Sequence, residues 1–105
     1  MKRFILTEAA AKDLDDIWFY IASEGASIAS AERVIWRLHR AILTLGDSPA
    51  IGRPCDPDID PDGWWFAVNK YLVYYRRDGH RIVITHVFDG RRSQKKAWRR
   101  PVKGS

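Results

Sequence analysis

Residues 64–88 read Trp64-Trp65-Phe66-Ala67-Val68-Asn69-Lys70-Tyr71-Leu72-Val73-Tyr74-Tyr75-Arg76-Arg77-Asp78-Gly79-His80-Arg81-Ile82-Val83-Ile84-Thr85-His86-Val87-Phe88. Aromatic and β-branched residues dominate the stretch, and such side chains suit a pleated, half-buried surface. It predicts three strands, 64–68, 71–77 and 81–88, with reversals at Asn69-Lys70 and Asp78-Gly79. Asp-Gly is the stronger turn signal and predicts a type I′ hairpin, which needs positive φ at both central residues. Three strands joined by two tight reversals form an antiparallel meander.

Upstream of the meander the apolar period changes from 2 to 3.6. Residues 2–6 suit a short first strand. Thr7 offers a hydroxyl as N-cap, and Glu8 stands in the first turn near the positive end of the helix dipole. The helix this opens runs to Glu24 on a stripe of Ala10, Leu14, Ile17, Trp18 and Ile21, with Asp13, Asp15 and Asp16 facing water and Gly25 as its stop. Ser27 or Ser30 caps a second helix that runs to about Leu45 and ends at Gly46. Its stripe is Ala31, Val34, Ile35, Leu38, Ile42 and Leu45. From Asp47 to Gly63 stand four of the five prolines and the alternating Asp56, Asp58, Asp60 and Asp62, which read as a loop. The order β-α-α-β-β-β predicts an α+β fold: an N-terminal strand, an antiparallel helical hairpin on one face, and the meander completing one sheet. Residues 1–93 form the expected single domain, and residues 94–105 a basic C-terminal tail that extends the short helix expected over 91–100.

The chain has 105 residues, 46% of them apolar and 30% charged, which excludes a disordered chain. No apolar run approaches the roughly 20 residues of a membrane span, and Phe4-Ile5-Leu6 is too short for a secretory signal. One cysteine, Cys55, excludes an internal disulfide framework, so the expected compartment is the cytoplasm. Net charge is +5, unevenly spread: residues 1–52 carry 6 basic and 7 acidic groups, residues 53–105 carry 12 and 6. From Arg91 to Ser105 seven basic groups stand without an acidic one, which implies either a solvated tail or an acidic partner, nucleic acid or protein.

Catalytic signals are sparse. Cys55 lies beside aspartates, which disfavour a thiolate and leave an idle, partly buried thiol as the expected state. The run Asp58 to Gly63 opens like a calcium loop, but the twelfth position is Asn69, not a bidentate carboxylate, and Pro57 and Pro61 stiffen it. A mobile acidic surface that binds no metal is expected, with the basic tail as a candidate partner. His39, His80 and His86 show no paired spacing. His86 suits a general acid or base if it faces a cleft, and otherwise fills a sheet position. The stronger signal is basic: Arg76, Arg77, Arg91, Arg92, Lys95, Lys96, Arg99 and Arg100 around Trp98, suited to phosphate contact with base stacking or to a carboxylate-rich protein surface.

Four segments in order resemble the ParE branch of the RelE/ParE toxins of bacterial type II toxin–antitoxin modules, of the kind that stabilise plasmids. They are Leu6-Thr7 with Ala10 and Asp13 to Ile21; Ile42, Leu45 and Ser48-Pro49-Ala50-Ile51-Gly52-Arg53-Pro54; Val68 with Tyr71 to Arg76; and Ile84, Val87 and Gly90-Arg91-Arg92. The resemblance covers about residues 4–93. Trp64 stands where the family usually has an arginine, and Asp89 where it commonly has a histidine. The resemblance implies a toxin that inhibits DNA gyrase by binding, with no cofactor and no established catalytic residues. It also implies neutralisation by a small ParD-like DNA-binding antitoxin with an extended C-terminal segment, in a toxin–antitoxin hetero-oligomer. The alternative is a RelE-like, metal-independent endoribonuclease acting on ribosome-bound mRNA, with Arg76, His86 and Arg92 as its candidate residues. A third reading is a degenerate member that binds antitoxin without harming a target. RelE-like members tend to draw a tyrosine or histidine from the last strand and tail, and after His86 this sequence has neither. The basic end, Arg91, Arg92, Lys95, Lys96, Trp98 and Arg99, is then the expected target-binding segment.

One further pattern concerns the antitoxin. Trp36 and Leu43 lie seven residues apart, half a turn from the second helix's core stripe, with Ala29 on their line, and Phe19 projects among Lys12, Asp15 and Asp16. A stripe of exposed apolar side chains marks a partner surface. Phe19, Trp36 and Leu43 are the expected antitoxin face, with a second toxin copy as the other candidate occupant.

Overall fold

The computed structural model describes residues 4–24, 27–48 and 51–90. Along the chain they form β1 (Phe4–Leu6), α1 (Glu8–Ser23), α2 (Ile28–Asp47), β2 (Arg53–Pro54), β3 (Trp64–Val68), β4 (Tyr71–Asp78) and β5 (Arg81–Asp89). The sheet order is β1-β5-β4-β3-β2. Every neighbouring pair is antiparallel except β1 with β5, which run parallel with Phe4 opposite Ile82. No helix among the described residues is long and apolar enough to cross a membrane.

Thr7 joins three elements at once. Its N–H donates to the Ile84 carbonyl, continuing the β1 ladder. Its hydroxyl accepts from Ala10 N–H, capping α1, and donates to the Thr85 carbonyl. Ser27 caps α2 by accepting from Ser30 N–H. The α2 helix passes through Gly46 to a cap at Ser48, whose N–H reaches the Thr44 and Leu45 carbonyls. Leu45 is fully buried, so the turn that seats it is retained although helical glycine costs about 1 kcal/mol relative to alanine.

The main core lies between the hairpin and one face of the sheet. Ala10, Leu38, Ile42 and Leu45 meet Tyr71, Val73, Tyr75, Ile82, Ile84 and Val87 there. Strict alternation would turn Ile82, Ile84 and His86 to the same side. A bulge interrupts it: Tyr74 pairs with His86 but Tyr75 with Ile84, leaving Thr85 as the extra residue. Val87 thereby joins the core in place of His86.

Three expectations change. The stretch 47–63 is not all loop, because Arg53 and Pro54 pair with Trp65 and Trp64 as a short edge strand. Two residues carry too little pattern for a periodicity to register. The second reversal is centred on Gly79-His80, since Asp78 still pairs with Arg81. Only Gly79 has positive φ there, at 61°, and only Asn69, at 55°, in the first reversal. One positive φ, at the first central residue, is the type II′ pattern rather than I′. Finally, the aspartate loop is not all exposed surface. Cys55 packs on Leu72 and Tyr74 of the sheet's second face, with Ile59, Trp65 and Phe88 around them, and Asp60 is only 4% exposed. Both faces of β4 are therefore covered, which accounts for the unbroken apolar run from Tyr71 to Tyr75.

Gly52 is fixed by that core. Tyr75 is fully buried, and a Cβ on Gly52 would overlap its hydroxyl. The Gly52 backbone and the Arg77 side chain are hydrogen-bond neighbours of that hydroxyl, while burial raises its pKa.

Candidate interaction surfaces

Asp13 does not face water. It lies on the flank of α1 that runs along β5, and among the described residues no strand pairs with β5 beyond Ile84 on that edge. Its Oδ2 accepts from Val87 N–H at 3.0 Å and lies 3.2 Å from His86 Nδ1. A helix carboxylate thus replaces the missing strand. The heptad angle alone could not reveal this, because it depends on where the strand edge ends. Replacing Asp13 by alanine should destabilise the protein by about 1–3 kcal/mol, the price of a ladder N–H left unsatisfied. Asp15→Ala, on the exposed side of the same helix, should stay within about 0.5 kcal/mol. Urea midpoints of the two variants check the contrast.

Of the three nuclease candidates, the two among the described residues are each engaged by a different carboxylate. His86 is held by Asp13 and stacked on Phe88, with ring centroids 5.1 Å apart. Arg76 is clamped on the loop: its Nε donates to Asp60 Oδ2 at 3.1 Å and its Nη2 to Oδ1 at 2.8 Å. Arg92 lies outside the described residues, as do Arg91, Lys95, Lys96, Trp98 and Arg99 of the expected target-binding segment. Arg77 lies over the Trp64 ring, 4.2 Å from its centroid. Sequence reading grouped Arg76 and Arg77 as one basic pair; strand alternation separates them onto opposite faces.

Under the loop, burial pushes the Cys55 thiol from 9.0 to about 11, with Asp60 adding repulsion and Arg76 opposing it. Burial likewise raises the Tyr74 hydroxyl from 10.0 to about 12. Among the described residues no three histidine, cysteine or acidic side chains come together in a group that could hold a metal.

Among the described residues most of the exposed large apolar side chains lie on the two helices of the hairpin. Phe19 is 65% exposed, Trp36 59% and Leu43 47%. Trp18 meets Phe19 edge-on at 5.3 Å, and Trp36 stacks with His39, which in turn meets Phe4 edge-on. Tyr20 and Ile28 are exposed as well. Sequence reading passed over both, because each stands alone on its helix flank and only the hairpin brings the end of α1 near the start of α2.

The family model of the ParE toxin of the type II toxin–antitoxin system, parDE, matches residues 4–94. Toxin ParE3 of Caulobacter vibrioides is 32% identical over 92 residues, 87% of this chain and 89% of that protein. A chain of the solved chromosomal ParDE TA system from P. aeruginosa superposes with a TM-score of 0.70 at 21% identity, over 85% of this chain and 96% of that one, and shares the fold. With the strand–hairpin–meander order, these matches establish that the chain belongs to the ParE toxin family of type II toxin–antitoxin systems.

Proposed function

We propose that this ParE-type toxin acts in the cytoplasm by binding DNA gyrase, not by catalysis, and that a cognate ParD-like antitoxin neutralises it within a hetero-oligomer. Family membership supports the class, and the P. aeruginosa neighbour is itself described as a toxin–antitoxin system. The observation that carries the choice against nuclease chemistry is the clamp on Arg76. A guanidinium already neutralised by a nearly buried carboxylate is poorly placed to stabilise a pentacovalent phosphorane. The basic segment Arg91, Arg92, Lys95, Lys96, Trp98 and Arg99 is the proposed contact with the target, through an acidic enzyme surface or the DNA that the enzyme holds.

The test pairs the intact chain with one truncated after Ser93 in gyrase supercoiling assays. Intact protein should inhibit supercoiling, and the truncated form should lose inhibition while retaining its fold and antitoxin binding. Full inhibition by the truncated form would move the toxic surface onto the sheet. Cleavage of ribosome-bound message by the intact protein, abolished by His86→Ala or Arg92→Ala, would replace this reading with the nuclease one.

Phe19, Trp36 and Leu43 are the proposed antitoxin face. Buried aromatic anchors dominate such interfaces. Trp36→Glu with Leu43→Glu should therefore weaken antitoxin binding by about thirtyfold or more, with the circular dichroism spectrum unchanged. Unaltered affinity would remove this face from consideration.

A further inference from the structure

Beside the Trp36–Leu43 stripe stands a second feature. Arg33, Arg37 and Arg40 are all exposed and fall within about 60° of one another around the α2 axis, spread over about 10 Å of its length. Glu32 and His39 occupy the other flank of Trp36, so the arginines form an unbroken cationic row along one side of the apolar stripe. Among the described residues none of the three guanidinium groups has a hydrogen bond or ion pair, and no ion pair joins α2 to α1, where Lys12 instead pairs with Asp16 of its own helix. The row does not serve the helix. Like charges four residues apart disfavour it slightly, and α2 has neither an acidic residue in its first turn nor a basic one in its last. Three uncompensated cations bordering exposed indole and leucyl side chains complement a segment that is apolar on one side and acidic on the next.

We propose that the Arg33–Arg37–Arg40 row is an electrostatic rail for the antitoxin, engaging a file of carboxylates that borders the apolar residues seated on Trp36 and Leu43. The inference rests on the assignment of Trp36 and Leu43 to the antitoxin face. The division of labour follows from the physics of each contact. Exposed charges steer the encounter and are screened by salt, whereas buried apolar anchors set the lifetime of the complex. The rail accelerates capture of newly made toxin, and the stripe retains it.

The experiment measures association and dissociation of the full-length toxin with its cognate antitoxin at about 50 and 300 mM salt. The Arg33→Gln/Arg37→Gln/Arg40→Gln variant should associate about tenfold more slowly at low salt, lose most of the salt dependence, and dissociate within about threefold of the unsubstituted rate. Arg33→Lys/Arg37→Lys/Arg40→Lys keeps the charge and should restore fast association, which separates steering from any effect on folding. An association rate and salt dependence unchanged in the glutamine variant would overturn the proposal. So would loss of retention on duplex operator DNA with antitoxin kinetics unaltered, which would assign the row to nucleic acid. If Trp36→Glu with Leu43→Glu leaves dissociation unchanged, the antitoxin face itself has failed, whatever the arginines do.

Discussion

Arg76→Ala should destabilise the protein by about 3–5 kcal/mol, a large share of the roughly 5–15 kcal/mol that holds a domain folded. Asp60 is 4% exposed and receives both N–H groups of the Arg76 fork. Without the guanidinium the carboxylate stays buried under the loop with its charge unpaired, which penalises the native state. The reverse substitution is milder. The Arg76 side chain is 52% exposed, so Asp60→Ala lets the guanidinium return to water and should cost about 1–2 kcal/mol. The double variant should resemble Asp60→Ala alone, since the stranded charge is gone. Chemical denaturation of the three variants checks this. Equal losses below about 1 kcal/mol would show an ordinary surface pair.

The second expected effect is chemical and reads out the same loop. Folded Cys55 should alkylate about a hundredfold more slowly at pH 8 than the unfolded chain, because its thiol is pushed from 9.0 to about 11 and thiolate is the reacting form. Steric cover by Ile59 and Trp65 slows it further. Arg76→Ala should raise the rate severalfold at concentrations of urea where the rest of the fold persists, as the loop opens first. The same shift makes stability pH-dependent. A group whose folded pKa exceeds its unfolded value contributes fully below the unfolded value. Cys55 therefore loses its contribution between about pH 9 and 11, and Tyr74 between about pH 10 and 12. Stability should fall progressively above pH 9, and Cys55→Ala should remove the first part of the decline. Rapid thiol reaction in the folded protein would show that the loop does not cover it.

The two helix stripes and the three long strands were legible because their patterns are local. Thr7 could be assigned as a cap from neighbouring residues, the second cap lay between Ser27 and Ser30, and the sharp period change after Gly63 marked the sheet. What escaped the sequence depends on distant partners. Asp13 and Asp15 are both helix aspartates among polar neighbours, and only the edge of β5 distinguishes them. Asp60 looked like one of four equivalent loop carboxylates until Arg76, sixteen residues on, singled it out. His86 left the core because a single extra residue, Thr85, shifted the alternation. For the interaction surfaces the limits were similar. The Trp36–Leu43 stripe was visible in a helical wheel, whereas the isolation of the arginines beside it required the absence of ion partners on α1.

The parallel pairing of β1 with β5 joins residues 4–6 to residues 82–84, and this fixes an order of assembly during synthesis. Chains emerge amino end first, so Phe4–Leu6 and the hairpin leave the ribosome before β3, β4 and β5 do. The buried stripe of α2 then has no sheet to rest on, and the ladder that anchors β1 appears only when the chain has reached Ile84. Contacts of such wide sequence separation form late and slowly. The sheet of a growing chain is accordingly unfinished until β5 has been made. The hairpin itself is complete some forty residues earlier, so its outer face is formed by residues made well before the sheet can close.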